Sequence, residues 1–262
     1  MKSYRIHLIR HGVTEGNAEG RYIGRTDLPL SEEGAAQLAG LKAERVYPPA
    51  SAFFCSPMKR CVQTLRILYP EAEPVTVGDF RECDFGAWEG KTAAEIAAED
   101  DRFAQWISGG GKAVSPPGGE SGGVFMHRVC AAFEKLVEAL VRSGTTSAVL
   151  VAHGGTLMTI LAAYGLPRAD FYDWMTEPGC GYTMRITPGL WMRSMVGEVC
   201  SKIPAGPAGE EPDEERILVD LGREAADRAF GKKKKKQGTG ADRSKTGEPP
   251  ETAREKIGGS PV

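Results

Sequence analysis

This sequence predicts an α/β fold, a mostly parallel central sheet with helices on both faces. Two observations carry the prediction. Apolar runs of strand length are repeatedly followed by a turn and then by a capped or amphipathic helical segment, the alternation that builds parallel sheets. Two of these runs, residues 4–9 and 149–152, each end in a histidine followed by glycine: Arg10-His11-Gly12 and His153-Gly154-Gly155. In an open α/β sheet the C-terminal ends of the strands are where ligands bind.

The elements follow in order. Residues 4–9 read as a strand, and 10–30 as a loop rich in Gly, Thr, Asn and Asp. Ser31 is placed to cap a helix whose first turn holds Glu32 and Glu33, where the helix dipole favours acids; that helix is expected to reach about Glu44. Residues 50–54 form a short strand. Ser56-Pro57 reads as a cap followed by proline at the first helical position, which puts Arg60 in the first turn beside the strand's end. Residues 74–77 are a strand leading into the loop 80–90. Thr92-x-x-Glu95 is a capping box opening a helix expected to reach about Ile107. After the Gly- and Pro-rich loop 109–123, Phe125, Val129, Ala132, Phe133, Leu136, Val137 and Leu140 recur at helical spacing. Residues 148–152 are a strand, 156–164 a helix closed by Gly165 and Pro167, and 182–186 a strand.

Composition sets the outer bounds. The 262 residues are enough for one sizeable α/β domain with some surplus. The net charge of −2 splits into +5 for residues 232–262, which hold nine Lys/Arg against four Asp/Glu, and −7 for the rest. An acidic body argues against a core that binds nucleic acid. Six cysteines show no CxxC spacing and no compact framework, and no apolar run approaches membrane-spanning length; the reading is reduced thiols in a cytoplasmic protein with no membrane span. The four histidines are scattered, so no metal is expected. The domain division expected is a folded domain over 1–203, a linker and C-terminal extension over 204–231 with a strand-plus-helix fragment at 214–230, and a disordered basic tail over 232–262. Five consecutive lysines in that tail, without interleaved aromatics and followed by acids, read as a solvated extension.

A neutral imidazole is nucleophilic near neutral pH, so histidines at strand ends imply chemistry on phosphate esters. Such chemistry needs a positioned imidazole, cations around the phosphoryl oxygens, donors to orient them, and an acid for the leaving oxygen. His11 is the candidate nucleophile. Arg10, Arg60 and His153 form a candidate cationic clamp. Asn17 offers an amide donor, and Gly154 a backbone N–H at a helix N-terminus. Glu82 is the candidate acid, with Asp84 and Glu89 competing on chemistry alone. His7 reads as structural, His127 as a surface histidine, Trp88 as packing, and Arg21 and Arg25 as solvated residues beside the site loop.

Taken together, four motifs resemble the histidine phosphatase superfamily, the phosphoglycerate-mutase-like proteins. They are Leu8-Ile9-Arg10-His11-Gly12-x-Thr14-x-x-Asn17, Ser56-Pro57-x-x-Arg60-x-x-x-Thr64, Glu82-x-x-Phe85-Gly86-x-Trp88-Glu89-Gly90 and His153-Gly154-Gly155. The resemblance spans roughly residues 4–190. It implies a phosphohistidine on His11, phosphate contacts from Arg10, Asn17, Arg60 and His153, an acid/base role for Glu82, and no cofactor. The segments 22–34 and 117–121 look most like bacterial small-molecule phosphatases, including α-ribazole-phosphate phosphatases, so the expected partner is a small phosphorylated metabolite. Hydrolysis is preferred over mutase activity because the chain is not similar to mutases in the Glu-Arg-His-Tyr-Gly stretch after the acid; a third alternative is an inactive phosphate-binding module. The pocket walls are expected from residues 20–25, 85–95 and 109–121.

Overall fold

The computed structural model describes residues 2–108 and 113–207. The expected fragment at 214–230 and the basic tail at 232–262 lie outside the described residues, as do 109–112 of the Gly-rich loop.

A seven-stranded sheet forms the centre, in the order β4-β3-β5-β1-β7-β8-β6. Its strands are β1 (Tyr4–Arg10), β3 (Ala52–Cys55), β4 (Val75–Thr76), β5 (Ser147–Ala152), β6 (Gly165–Leu166), β7 (Gly181–Ile186) and β8 (Gly197–Ile203). The pairs β4-β3, β3-β5, β5-β1 and β8-β6 are parallel, whereas β7 runs antiparallel to both β1 and β8. The sheet is therefore mostly parallel, as the alternating pattern predicts.

The strands read as nearly continuous apolar runs because both faces are covered. On one face Ile6 and Leu8 of β1 and Ala148, Leu150 and Ala152 of β5 pack with α6 (Gly122–Ser143) and α7 (Gly154–Tyr164). On the other, Ile9, Val149 and Val151 pack with Leu38 of α2 (Glu32–Glu44) and with Cys61, Leu65 and Leu68 of α3 (Lys59–Leu68). All seven apolar positions expected on the long helix α6 are buried.

Register matters more than strand count. Arg10 of β1 lies opposite Ala152 of β5, and the His11 N–H continues the ladder to the Ala152 carbonyl at 2.9 Å. The residues that follow the two strands are His11 and His153, so parallel pairing delivers both histidines to one sheet edge.

Several expectations are corrected. Ser56 caps no helix: α3 begins at Lys59 after Met58, and the Ser56 hydroxyl is spent elsewhere, as described below. The single helix expected over 92–107 is two, α4 (Ala93–Glu99) and α5 (Arg102–Ile107). They part at Asp100, whose carboxylate accepts the indole N–H of buried Trp88 at 3.0 Å and the Arg102 guanidinium at 2.8 Å. The helix α8 (Pro188–Ser194) and the strand β8 went unpredicted. The chain also continues past Ile203 into β9 (Ala205–Pro207), which pairs with β2 (Arg45–Val46), so the first residues of the expected linker carry structure.

Phe133 illustrates how the α6 face is held. It is fully buried, with ring centroids 5.5 Å from Tyr164 and 6.0 Å from Trp191. Phe133→Ala is expected to cost about 3–5 kcal/mol, the usual range for emptying an aromatic core site. Urea unfolding checks this, and a loss below about 1 kcal/mol would show that the face collapses to fill the gap.

Candidate active site

His11 leaves β1 with its side chain almost wholly buried. Its Nδ1 lies 2.6 Å from the Gly12 carbonyl oxygen. A carbonyl only accepts, so Nδ1 carries the proton and Nε2 keeps its lone pair. Gly12 is itself fixed: its N–H donates to Thr64 Oγ1 at 2.9 Å, and that hydroxyl donates to the Arg60 carbonyl at 2.7 Å. Burial, reinforced by Arg60 and Arg10, lowers the His11 pKa to about 3. At neutral pH the ring is an uncharged base with a fixed tautomer.

His153 sits against it, the two ring centroids 5.2 Å apart in an edge-on arrangement. Its Nδ1 accepts from Arg60 Nε at 3.3 Å, and its Nε2 donates to Ser56 Oγ at 2.8 Å. Burial, then Arg60 and His11, hold its pKa well below the ordinary histidine value. The expectation of a cationic His153 is thus corrected. Flanked by a guanidinium in a fully buried site, it is a neutral hydrogen-bonding imidazole, and the positive charge belongs to the arginines.

Arg60 has no solvent exposure. Besides His153, it donates through Nη1 to the Thr26 carbonyl at 2.9 Å and through Nη2 to the Gly24 carbonyl at 2.8 Å. Arg10 donates from Nη1 to the Thr176 carbonyl at 2.7 Å, while its buried Nε has no partner among the described residues. Two guanidinium groups held by neutral carbonyls keep their charge uncompensated nearby, which is what an anion-binding site needs.

Glu82 is buried in the same site. Its Oε1 accepts from the Cys83 N–H at 3.0 Å and its Oε2 from the Gly155 N–H at 2.9 Å, in the first turn of α7. Burial raises its pKa, and those two hydrogen bonds, with Arg60 and Arg10, only partly offset it. A Cβ at position 155 would lie 2.4 Å from Glu82 Oε1, so any larger residue there displaces that carboxyl. The other acids are committed elsewhere. Asp84 accepts from the Gly86 N–H at 3.0 Å. Glu89 accepts from the N–H groups of Gly24 (3.0 Å) and Arg25 (2.8 Å) and from the Thr26 hydroxyl (2.7 Å). Of the three candidate acids only Glu82 is buried, bonded to the first turn of α7 that follows His153.

Asn17 serves a cap: its Oδ1 accepts from Thr14 Oγ1 at 2.9 Å at the start of α1 (Glu15–Ala18), which leaves its Nδ2 donors unspent among the described residues. The Gly154 N–H, at the N-terminus of α7, is likewise unspent there, whereas that of Gly155 goes to Glu82. His7 is structural, bonded to Thr183 Oγ1 at 3.0 Å and Ser147 Oγ at 3.3 Å. His127 is exposed. Arg21 is used on the Gly90 carbonyl and on Glu19 and Glu95.

Sequence reasoning missed three supports. Ser56 was expected as a helix cap. Glu89 was weighed as a rival acid, but it anchors residues 24–26. Arg128 pins the backbone that carries Glu82: it donates to the carbonyls of Asp79, Arg81 and Glu82, each at 2.8 Å, while paired with Glu120. A basic residue on an amphipathic helix gives no sign of that task. The pocket walls also differ. Among the described residues, a cavity of about 600 Å³ beside Glu82 is lined by Phe85 from the expected segments, but otherwise by the end of α5, the start of α6, one side of α7 and residues 169–172. Among the described residues no group of three His, Cys, Asp or Glu side chains is arranged to hold a metal ion, and no helix is long and apolar enough to cross a membrane.

The sequence profile of the histidine phosphatase superfamily, branch 1, matches residues 6–197. The chain belongs to this family. An adenosylcobalamin/alpha-ribazole phosphatase of Salmonella typhimurium is 29% identical over 191 residues, covering 71% of this chain and 92% of that one. A 2,3-bisphosphoglycerate-dependent phosphoglycerate mutase 2 of Gloeobacter violaceus is 32% identical over 166 residues, 59% of this chain and 72% of its own. The crystal structure of the alpha-ribazole phosphatase from Shigella flexneri shares the fold, with a TM-score of 0.65 at 23% identity, covering 79% of this chain and 100% of that one.

Two predictions follow from this geometry. His7, His11 and His153 are all held below the ordinary value of 6.5, at about 4, at about 3 and well below 6.5. The unfolded chain therefore binds more protons than the native one below that value, and stability falls as pH is lowered through this window. Glu82, shifted up, opposes the trend as a single group. Urea midpoints measured between pH ~7 and ~4.5 are expected to fall steadily, with a shallower slope in His7→Asn; a flat profile would contradict the buried neutral histidines. Second, Glu89→Ala removes the acceptor that holds residues 24–26, and with it the carbonyls that hold Arg60. It is expected to destabilise by about 1–3 kcal/mol and to raise KM for any phosphate ester. An unchanged KM would show that Arg60 keeps its place without that loop.

Proposed function

We propose that this protein is a phosphomonoester hydrolase that works through a phosphohistidine on His11 and acts on a small phosphorylated metabolite. One observation carries the reading: a neutral imidazole with its proton locked on Nδ1 stands among two arginines that have no carboxylate partner among the described residues and a buried glutamate whose pKa is raised.

His11 Nε2 attacks phosphorus, and the bond from phosphorus to the alcohol oxygen breaks. The Glu82 carboxyl gives its proton to that oxygen, so a neutral alcohol departs. Glu82, now a carboxylate, takes a proton from water as the water oxygen attacks the phosphoryl group. The P–N bond breaks, the electron pair returns to Nε2, and inorganic phosphate leaves. Arg10 and Arg60 stabilise the charge on the phosphoryl oxygens throughout, with Asn17, His153 and the Gly154 N–H as hydrogen-bonding partners. Glu82 begins and ends protonated, which its burial favours. The chemistry is of an acid-phosphatase type.

The names of the ribazole-phosphatase relatives put phosphate esters of that kind first among candidate substrates. A mutase would instead return the phosphoryl group to a bound phosphoglycerate, and an inactive module would not form the covalent bond. The six free cysteines support a cytoplasmic location.

Rapid quenching in alkali, which preserves phosphohistidine, separates these readings. Wild type is expected to show a phosphorylated intermediate that decays to inorganic phosphate, and His11→Ala to show neither intermediate nor turnover. In single turnovers Glu82→Gln is expected to slow esters of alkyl alcohols by about 10²–10⁴-fold while nearly sparing esters of activated phenols, which leave without a proton. Equal slowing of both classes would remove Glu82 as the acid.

A further inference from the structure

The cavity beside Glu82 has a volume of about 600 Å³, within the range of small-molecule sites. Its wall is aromatic and aliphatic, with Phe85, Trp106, Phe125, Phe171, Tyr172 and Met158 the large contributors. Among the described residues no lysine or arginine lines it; the acidic residues that line it are Glu82 and Asp170. Tyr172 and Ile107 stand at its margin largely exposed.

We propose that this cavity is the subsite for the alcohol portion of the ester, and that it selects uncharged, aromatic leaving groups over those bearing a carboxylate or second phosphate. The proposal rests on the phosphatase reading above and specifies its substrate class.

Glu82 makes the connection. An acid that protonates the leaving oxygen must touch it, so the carbon bonded to that oxygen occupies space bordering the Glu82 carboxyl. The cavity is such a space, because Glu82 and its hydrogen-bond partner Gly155 both line it. The phosphoryl end and the alcohol end are therefore divided by chemistry. Cations with carbonyl partners stand at one, and apolar surface without cations among the described residues at the other. An aromatic body filling the cavity removes its wall, including Tyr172 and Ile107, from water. A leaving group with its own anion meets Asp170 and, among the described residues, no lining cation, so its desolvation goes uncompensated.

Non-hydrolysable phosphonates test this without requiring turnover. Affinities of naphthylethyl phosphonate, ethyl phosphonate and phosphonopropionate are measured by calorimetry on the full chain, as wild type, Ala163→Leu and Tyr172→Ala. Ala163 lines the cavity from α7, and leucine there occupies part of its volume. Wild type is expected to prefer the naphthyl ligand over the other two by at least ~10-fold, and both variants to cut that ratio several-fold. The matching phosphate esters, assayed for kcat/KM, are expected to rank in the same order. Equal affinities in wild type, or a ratio untouched by both variants, would overturn the subsite. A preference among phosphonates with no ester hydrolysed would leave the subsite standing and defeat the phosphatase reading. Because the readout is a ratio between ligands, a variant that merely misfolds lowers all affinities together and is told apart from one that loses selectivity.

Discussion

The site depends on a guanidinium removed from water with no carboxylate bonded to it among the described residues. Burying an unpaired charge is costly, and the structure meets that cost with geometry. Two loop carbonyls and the His153 ring take the Arg60 donors. That arrangement needs residues 24–26 fixed, and Glu89 fixes them. It needs a close approach of the loop to residues 83–85, and position 24 has glycine, where a Cβ would fall 1.8 Å from the Cys83 carbonyl oxygen. Burial is the first cause of the protonation of its neighbours, and the buried charge acts after it. It helps hold His11 and His153 neutral, and it moderates the upward shift of Glu82. One cation thus prepares both the base and the anion-binding field.

Much of this was legible in the sequence because it rests on local patterns. The strand ends before His11 and His153, the capping box at Thr92 and the apolar stripe on α6 are short-range features, and the structure realises each. That the two histidines meet follows from parallel strand order, which the alternation of strands and helices implies. What stayed hidden depends on long-range partners. Ser56-Pro57 has the form of a helix start, yet its hydroxyl is claimed by a histidine 97 residues away. The helix from Thr92 has unbroken propensity, yet Asp100 ends its first half because Trp88 and Arg102 compete for that carboxylate. Glu89 and Arg128 are charged residues in polar settings, and sequence chemistry alone does not tell a loop anchor from a solvated side chain.

The strand β8, beyond the expected strand at 182–186, was hidden for another reason. The segment 197–203 includes Glu198 and Lys202 and breaks the apolar pattern, since β8 lies near the sheet's margin with only β6 beyond it. Strands near an edge tolerate polar residues that central strands exclude, so their sequence signal is weaker.

The two ends of the site are built from different parts of the chain. The phosphoryl end comes from the tips of β1 and β5, the start of α3 and the loop at 24–26; the walls beyond Glu82 come mainly from α5, the N-terminal turn of α6, the outer surface of α7 and the turn at 169–172. In evolutionary terms this separation makes the protein modular. On the mechanism and subsite proposed above, substitutions at Trp106, Met126 or Tyr172 would alter which alcohol fits without moving either arginine or His11, so descendants of one fold would change substrates while inheriting the same chemistry.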